Sequence, residues 1–427
     1  MVKKSGKRKT KKNNTQKEIY FDYSATTPTR KEVLAEALPY FIETFGNPSS
    51  FHSTGLVAKN ALTNARKRIA KILNCDEKEI IFTGSGTESI NLALKGIAFK
   101  NMLKNKGLGR GTFITQKTEH HAVIETLAWL EKFGFNIIQI DVDEEGFVNL
   151  KQLEKDIKKN KEEGMPVLLV SIMYANNEIG TIQPISEIAK ICHKYHTPLH
   201  SDGCQGAEYL DLDTKKLGVD MLTLNGSKIY GFKGTGLLFK KKEILIEPLI
   251  HGGGHENNLR AGTENIPGIV ALAKSLEIAY KEKKKESARL KKLRDYMIQR
   301  IKNEIPKVIL NGNGKERLPN NVNFSFEGIE GESILLRLNE KGIRVSTGSA
   351  CTSQSLDPSH VLTSIGLPHE LAHGSIRFSL GKDSTKQKID YTIRELKESV
   401  KFLRMISPEW KNENSLRKSS PNKKFAN

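Results

Sequence analysis

Cysteine and long apolar runs are scarce in this chain, and each shortage excludes a class of protein. Four cysteines and 34 glycines among 427 residues exclude disulfide scaffolds and collagen-like chains. No two cysteines stand at Cys-x-x-Cys spacing, which argues against a zinc site, and we predict no metal. The longest apolar run, Val167 to Tyr174 with Ser171 inside it, is too short to span a bilayer.

Acidic residues are missing from residues 1–17, which carry eight Lys and Arg. Residues 408–427 add a net charge of +3, so much of the overall +19 lies in the two ends. No aromatic side chain lies among the first charges, so we favour solvated basic tails over a nucleic-acid contact. The basic start is not followed by an apolar stretch, as a secretory signal requires, so we expect a cytoplasmic protein with free thiols.

Strand and helix patterns alternate from about residue 33 to 275, which predicts an α/β fold with a mostly parallel sheet. Ligands bind at the carboxyl ends of the strands in such sheets. A long charged helix is predicted from Ala271 to Glu304, then shorter α+β patterns and a last helix near Lys388 to Arg404. The six buried-strand patterns are Glu79–Thr83, Thr112–Thr115, Phe135–Ile140, Val167–Met173, Pro198–Ser201 and Met221–Leu224.

These patterns predict two domains between the tails. A large ligand-binding domain would span residues 33–275, and a small C-terminal domain would span residues 276–407. Residues 18–32 would form an N-terminal segment that joins the small domain.

A glycine-rich turn follows the first predicted strand, in the sequence Gly84-Ser85-Gly86-Thr87-Glu88. Ser85 and Glu88 have the spacing of a helix-capping box. The N–H groups and dipole of the helix start favour an anion such as phosphate, although turns of this kind are common without one.

Two more polar clusters follow later strands. Asp202, within His200–Gln205, lies at a strand end and either faces the ligand crevice or caps a helix. Lys228, within Asn225–Gly236, could be desolvated enough to form a Schiff base, or could be a surface lysine in a turn.

Together the three clusters favour pyridoxal 5'-phosphate as cofactor. It needs a lysine for the imine, an acid beside the pyridine nitrogen and a phosphate cup. Lys228, Asp202 and the turn at Thr87 supply these at strand ends.

Two features lie in the C-terminal part. The stretch Arg344–Ser355 is rich in small and hydroxyl residues and carries Cys351, either a nucleophile on a mobile loop or an ordinary free thiol. Arg377, on the alternating stretch Ser375–Ser379, could hold a substrate carboxylate with its planar fork or form a surface ion pair.

These residues resemble the cysteine desulfurases, pyridoxal-phosphate enzymes of the class-V aminotransferase family. The resemblance covers about Ile19 to Trp410. The motifs that carry it are Tyr20–Pro28, Phe45–Ser50, Thr118–His120, Asn176–Gly180, His251–Glu256, Arg260–Thr263 and the Cys351 loop. It implies fold type I of the pyridoxal-phosphate transferases, with a seven-stranded, mostly parallel sheet and a smaller α+β domain.

The resemblance also implies a role for each matching residue. Lys228 would hold the cofactor and move the α-proton of the substrate, and Cys351 would accept sulfur as a persulfide while alanine leaves. His120 would stack on the ring and assist proton transfer. The other implied contacts are Asp202 with the ring nitrogen, Asn176 and Gln205 near the ring oxygen, Gly86, Thr87, Asn225 and Ser227 around the phosphate, Thr263 from a second subunit, and Arg377 with Asn47 on the substrate carboxylate.

The implied activity is conversion of L-cysteine to L-alanine with transfer of sulfur to an iron–sulfur scaffold or another acceptor, including tRNA-thiolation proteins. Thr263 implies a homodimer. The family usually has Ser-Gly-His or Ser-Ala-His before the lysine, whereas this chain has Asn225-Gly226-Ser227, which alters the phosphate side. Phe232 stands where proline is usual, and Cys204 replaces a small residue, which we interpret as packing.

Other functions remain open from the sequence. A selenocysteine lyase or cysteine sulfinate desulfinase of the same fold would not need Cys351. A sulfur-relay or nucleic-acid-associated protein would depend on its tails, with a salt-sensitive association. An inactive scaffold is disfavoured by the intact set of Lys228, Asp202, His120 and Cys351.

Overall fold

The computed structural model describes residues 18–348, 357–408 and Trp410. Cys351 and the predicted tails, apart from Pro408 and Trp410, lie outside the described residues. The strands are β1 Ile19–Tyr20, β2 Ile80–Thr83, β3 Thr112–Gln116, β4 Asn136–Ile140, β5 Val167–Ser171, β6 Leu199–Asp202, β7 Met221–Asn225, β8 Gly236–Lys240, β9 Val308–Leu310, β10 Asn321–Phe326, β11 Ile343–Arg344 and β12 Ser375–Ser379.

The helices alternate with these strands in the first two thirds of the chain. They are α1 Lys31–Ala37, α2 Pro39–Ile42, α3 Ser53–Leu73, α4 Gly86–Lys104, α5 His121–Glu131, α6 Leu150–Glu162, α7 Ile185–Lys194, α8 Thr214–Leu217, α9 His255–Asn258, α10 Ile266–Glu304, α11 Gly331–Glu340, α12 His360–Ser364, α13 His369–His373 and α14 Lys386–Ile406. Short 3-10 turns cover Glu77–Glu79 and Gly226–Lys228.

The main sheet has seven strands in the order β2-β8-β7-β6-β5-β3-β4. The five strands β7, β6, β5, β3 and β4 are parallel to one another, whereas β8 is antiparallel to both β2 and β7. The predicted α/β class and mostly parallel sheet are therefore confirmed. All six predicted strands are present in this sheet, and β8 is its one strand that the sequence analysis did not name.

Apolar strands are covered by helices on both faces of this sheet. One buried cluster joins Ile69, Val170, Leu222 and Leu272 from different elements. A second cluster on the other face joins Leu94, Phe113 and Leu127. Burial on both faces explains why the strands read as continuous apolar runs rather than as alternating ones.

A separate core lies in the C-terminal part. The antiparallel sheet β12-β10-β9 packs with α11 and α14 around Phe324, Phe378 and Leu396. Phe21 belongs to this core, and β1 pairs in parallel with β11, so the N-terminal segment lies against the C-terminal part. None of the described helices has both the length and the apolar character needed to cross a membrane.

Helix α10 runs through the predicted domain boundary near residue 275. Its 39 residues begin at Ile266, before the predicted start, and continue unbroken to Glu304. The first part contributes Leu272 and Leu276 to the main core, and the last part contributes Met297 and Ile301 to the C-terminal core. The domain limits stay a prediction, and α10 links the two cores.

Candidate active site

The carboxyl ends of β6 and β7 and the start of α4 enclose a cavity of about 720 Å³, part of it open to solvent. Eight of the predicted site residues line it: Gly86, Thr87, His120, Asp202, Gln205, Asn225, Lys228 and Arg377. This is where ligands bind in parallel α/β sheets, because loops leave the strands there in different directions.

Lys228 ends the short turn that follows β7. Its Nζ donates hydrogen bonds to the carbonyl oxygens of Ser24 (2.9 Å) and Ala25 (2.6 Å). Thr27 binds the same turn, since its N–H donates to the carbonyl of Ser227 at 2.9 Å. The N-terminal segment therefore fixes the lysine amine within the cavity.

Asp202 is the last residue of β6 and is 7% exposed. Its Oδ1 accepts a hydrogen bond from the backbone N–H of Cys204 at 2.9 Å. Beneath it, the imidazole of His200 contacts the hydroxyls of Ser171 (2.9 Å) and Thr223 (3.0 Å). Burial lowers the pKa of His200 to about 4, so this imidazole is neutral at pH 7.

Helix α4 begins at Gly86, and its first two residues, Gly86 and Thr87, line the cavity. Ser85 caps it, because its Oγ accepts from the N–H of Glu88 at 3.1 Å. The predicted capping box forms only in part. Glu88 accepts from the N–H of Gly84 (2.8 Å) instead of Ser85, and also pairs with Arg260 at 2.9 Å.

Gly86 makes room for a ligand at the helix start. A Cβ there would lie 3.0 Å from Sγ of Cys204 and 3.4 Å from Cβ of Asn225. The first N–H groups of a helix have no partner within it, and they attract anions. This end of the cavity is therefore a cradle for a phosphate.

His120 caps the start of α5, where its Nδ1 accepts from the N–H of Ala122 at 3.0 Å. Burial lowers the pKa of the imidazole; nearby Asp202 opposes this shift, and Lys228 adds to it. The ring lines the cavity, and its Nδ1 is bound to the backbone. It is therefore fixed in orientation and biased toward its neutral form.

Arg377 lies on β12 and reaches the cavity from the C-terminal core. It is 2% exposed, and its Nη2 pairs with Asp22 at 2.9 Å. Nη1 donates to the carbonyl of Asn177 at 3.1 Å, and buried Nε has no partner among the described residues. The guanidinium is thus held in place with donor capacity left for a carboxylate.

Comparison with known proteins agrees with this geometry. The family model for aminotransferase class-V matches residues 19–392. The chain belongs to the class-V aminotransferase family. Within it the chain is a cysteine desulfurase: it is 50% identical over 398 residues to "Cysteine desulfurase IscS" of Dictyoglomus turgidum, covering 92% of this chain and 98% of that protein.

Solved structures show the same fold. A "NIFS-LIKE PROTEIN" superposes with a TM-score of 0.83 and 36% identity, covering 90% of this chain and 100% of the other. A structure described as "SspA in complex with cysteine" gives a TM-score of 0.73 and 36% identity over 85% of this chain and 98% of that one. The fold-type-I architecture expected from the sequence is therefore confirmed.

Pyridoxal 5'-phosphate is the cofactor of this desulfurase family, and the cavity fits it. An amine, a carboxylate and an anion cradle face one space, from Lys228, Asp202 and Gly86. These are the three groups that the cofactor requires. The residues that would hold it come from the ends of β6 and β7, which are neighbours in the sheet, and from the start of α4, which follows β2.

Four predicted residues do not line the cavity within one chain. Asn176 is buried, and its amide binds the Thr118 carbonyl and the Glu178 N–H. Asn47 and Thr263 are exposed, and Ser227 lies behind Asn225. Their roles stay predictions, as does that of Cys351, which lies outside the described residues.

Several residues near the desulfurase site received no role from the sequence. Asp22, Ser24 and Ala25 lie in the Tyr20–Pro28 motif, which is quoted above only as part of the resemblance. Their contacts with Arg377 and Lys228 join distant parts of the chain, so no local pattern indicates them.

Glu119 was also missed. It is fully buried, and its Oε1 accepts from the N–H of Met173 at 2.6 Å and from Nε2 of Gln116 at 3.0 Å. Burial raises the pKa of this carboxyl. Glu119 therefore ties the segment after β5 to the segment that carries His120, and the Thr118–His120 motif was the available signal.

Proposed function

We propose that this cavity converts L-cysteine to L-alanine and delivers the sulfur to Cys351. The observation that carries the proposal is the convergence of Lys228, Asp202 and Arg377 on one cavity. The first two match the cofactor, and the third matches the carboxylate of an amino acid. When bound, pyridoxal phosphate supplies an electron sink next to the α-carbon.

Lys228 would move the α-proton of the substrate. Its Nζ donates hydrogen bonds to the carbonyls of Ser24 and Ala25, which keep the amine at a fixed position. An amine fixed in this way can take a proton from the α-carbon and return it to the product.

Asp202 and His120 would flank the cofactor ring. The carboxylate of Asp202 would hold a proton at the ring nitrogen, because an adjacent negative charge favours the protonated form. The neutral imidazole of His120 suits stacking and proton exchange with the substrate. Gln205 supports this side, with its Nε2 bound to the carbonyl of Ser24 at 3.0 Å.

Arg377 would bind the substrate carboxylate. Its Nη atoms are engaged by Asp22 and Asn177, so the group is oriented before substrate arrives. The predicted help from Asn47 is part of this proposal, although Asn47 is exposed and its Oδ1 accepts from the N–H of Ser49 at 2.9 Å. The carboxylate would bind where Arg377 lines the cavity.

Cys351 would then attack the substrate sulfur as a thiolate. The sulfur–sulfur bond forms as the carbon–sulfur bond breaks, and the carbon takes a proton to become alanine. The sum is L-cysteine plus thiol giving L-alanine plus persulfide, which balances without an external oxidant. The neighbour described with bound cysteine supports this choice of substrate.

A homodimer is part of the proposal. Large apolar side chains are exposed along one segment, including Ile42 (69%), Phe45 (73%) and Phe51 (92%). Exposed apolar patches on this scale mark interfaces. Thr263 is exposed and does not line the cavity of its own chain, as a residue that serves the partner would be.

We also propose that the persulfide supplies iron–sulfur cluster assembly, through a scaffold protein, with tRNA-thiolation proteins as further acceptors. The relatives named as desulfurases support a sulfur-transfer role. A cytoplasmic location fits a thiol nucleophile, and the three described cysteines form no disulfide.

Alanine release from L-cysteine tests the mechanism, with the cofactor and a reductant present. We expect alanine from the wild type and almost none from Cys351→Ala, with Cys75→Ala as a matched control that stays active. Alanine from both the wild type and Cys351→Ala would move the assignment to a direct lyase, such as a selenocysteine lyase or cysteine sulfinate desulfinase. Those substrates would then be compared with L-cysteine.

A further inference from the structure

In the unusual Asn225-Gly226-Ser227 triplet, the side chains of Asn225 and Ser227 have different hydrogen-bonding roles, which the sequence does not show. Both the N–H and the Oγ of Ser227 donate to Oδ1 of Asn225, each at 3.0 Å. A backbone N–H can only donate, so the atom that faces it must be the amide oxygen. This contact fixes the orientation of the Asn225 amide.

The amide nitrogen must therefore point the other way. Nδ2 of Asn225 lies 3.5 Å from the point where a Cβ of Gly86 would stand. It thus faces the first turn of α4, whose N–H groups also have no helical partner. Nδ2 has no hydrogen-bond partner among the residues that the structure describes, and Asn225 lines the cavity.

Ser227 is placed differently. Its one hydroxyl hydrogen is committed to Oδ1 of Asn225, so Oγ retains only acceptor capacity. A phosphate oxygen is an acceptor as well and gains nothing from such a group. Ser227 also does not line the cavity.

We propose that Asn225 is the phosphate donor of this triplet and that Ser227 is a positioning residue that holds the Asn225 amide. Nδ2 would donate to the phosphate beside the N–H groups of Gly86 and Thr87. The backbone N–H of Ser227 keeps Oδ1 turned away from the anion, and the hydroxyl binds the same oxygen. The inference rests on the proposed function, since it assumes pyridoxal phosphate in this cavity.

Three variants of the full-length chain separate the two roles. Asn225→Asp keeps the shape and the acceptor for Ser227 but replaces the donor with a negative oxygen. Ser227→Ala removes the hydroxyl but keeps the backbone N–H that orients Asn225. Asn225→Ser keeps a side-chain oxygen that can cap the turn but removes the amide donor.

The readout is equilibrium binding to the cofactor-stripped chain, measured once with pyridoxal 5'-phosphate and once with pyridoxal, which lacks the phosphate. We expect Asn225→Asp to weaken binding of the phosphate form about 100-fold and Asn225→Ser about 10-fold, as loss of a hydrogen bond to a charged group implies. Ser227→Ala should change it less than about 3-fold. Pyridoxal binding should change less than about 3-fold in all three.

Two results would overturn the division of roles. One is a loss in Ser227→Ala as large as that in Asn225→Asp, which would make the hydroxyl a direct donor. The other is an equal loss for pyridoxal and its phosphate, which would make Asn225 a purely structural residue. Failure of the wild type to bind either form would instead refute the proposed function, so the two failures are distinguishable.

Discussion

Nη2 of Arg377 lies 2.9 Å from Oδ1 of Asp22, although 355 residues separate the two along the chain. The contact joins the N-terminal segment to β12 at the wall of the cavity. It explains how the enzyme keeps a fully buried guanidinium: one carboxylate balances its charge, and the carbonyl of Asn177 takes a second donor.

Arg377→Lys should raise the KM for L-cysteine about 10- to 100-fold, with a smaller change in kcat. Lysine keeps the charge but loses the planar fork, which binds both Asp22 and a carboxylate. Steady-state kinetics of alanine release measure both constants. Arg394→Lys, at an exposed arginine paired with Glu395, is the control and should be unchanged. An unaltered KM in Arg377→Lys would remove this residue from substrate binding.

Gly86→Ala should weaken binding of pyridoxal 5'-phosphate about tenfold, because overpacking this contact costs free energy. The new Cβ would lie 3.0 Å from Sγ of Cys204, so the neighbours must shift. Adding Cys204→Ala should restore part of the affinity by making room. Titration of the cofactor-stripped variants measures this. No recovery in the double variant would mean that the clash lies elsewhere.

His200 should make the free energy of unfolding decrease at acidic pH. Burial lowers its pKa from 6.5 to about 4, so stability is fully present above pH 6.5 and is lost as the pH falls toward 4. As the pH falls, His200 binds a proton in the unfolded chain before it does so in the folded chain. The free energy of unfolding therefore decreases by about 2 kcal/mol between pH 7 and pH 5.

Urea unfolding of wild type and His200→Gln at these two pH values measures the effect. His200→Gln should start less stable at pH 7 but lose about 2 kcal/mol less on acidification than the wild type. His369→Gln, at an exposed histidine, should behave like the wild type. If His200→Gln loses as much free energy of unfolding between pH 7 and pH 5 as the wild type, groups other than His200 cause the loss.

The exposed apolar segment should form the interface of the proposed dimer. Ile42→Asp with Phe51→Asp places two charges on side chains that are 69% and 92% exposed in one chain. We expect a shift from dimer to monomer in analytical ultracentrifugation, since buried unpaired charges disrupt an interface. Leu108→Asp, 73% exposed in another part of the chain, is the control and should stay dimeric. A wild-type monomer would contradict the proposal directly.

The sequence was sufficient for much of the fold. The six predicted strands and the alternation with helices follow from apolar runs of strand length, which tertiary context did not override. The antiparallel strand β8, Gly236–Lys240, was not named, because its short apolar run follows a glycine-rich turn without a helix between. Boundaries moved by a few residues, as in α10, which starts at Ile266 because Asn265 caps it.

The chemistry at strand ends was also readable from the sequence. Lys228, Asp202 and the turn at Gly86 each follow a predicted strand, and parallel strands bring their carboxyl ends to one edge. Residue type and order therefore indicated the cofactor but left the reaction open. The motifs of the resemblance narrowed this to a cysteine desulfurase.

Only the tertiary structure decided how these residues are held. The Asp22 contact with Arg377, the carbonyls of Ser24 and Ala25 on Lys228, and the orientation of the Asn225 amide depend on packing between distant segments or on which atom a neighbouring donor faces. Such contacts cannot be predicted from a repeating pattern of residue types, because each is a single hydrogen bond that orients one side chain. The sequence determined which groups are present, and the fold determined which atoms they turn toward the substrate.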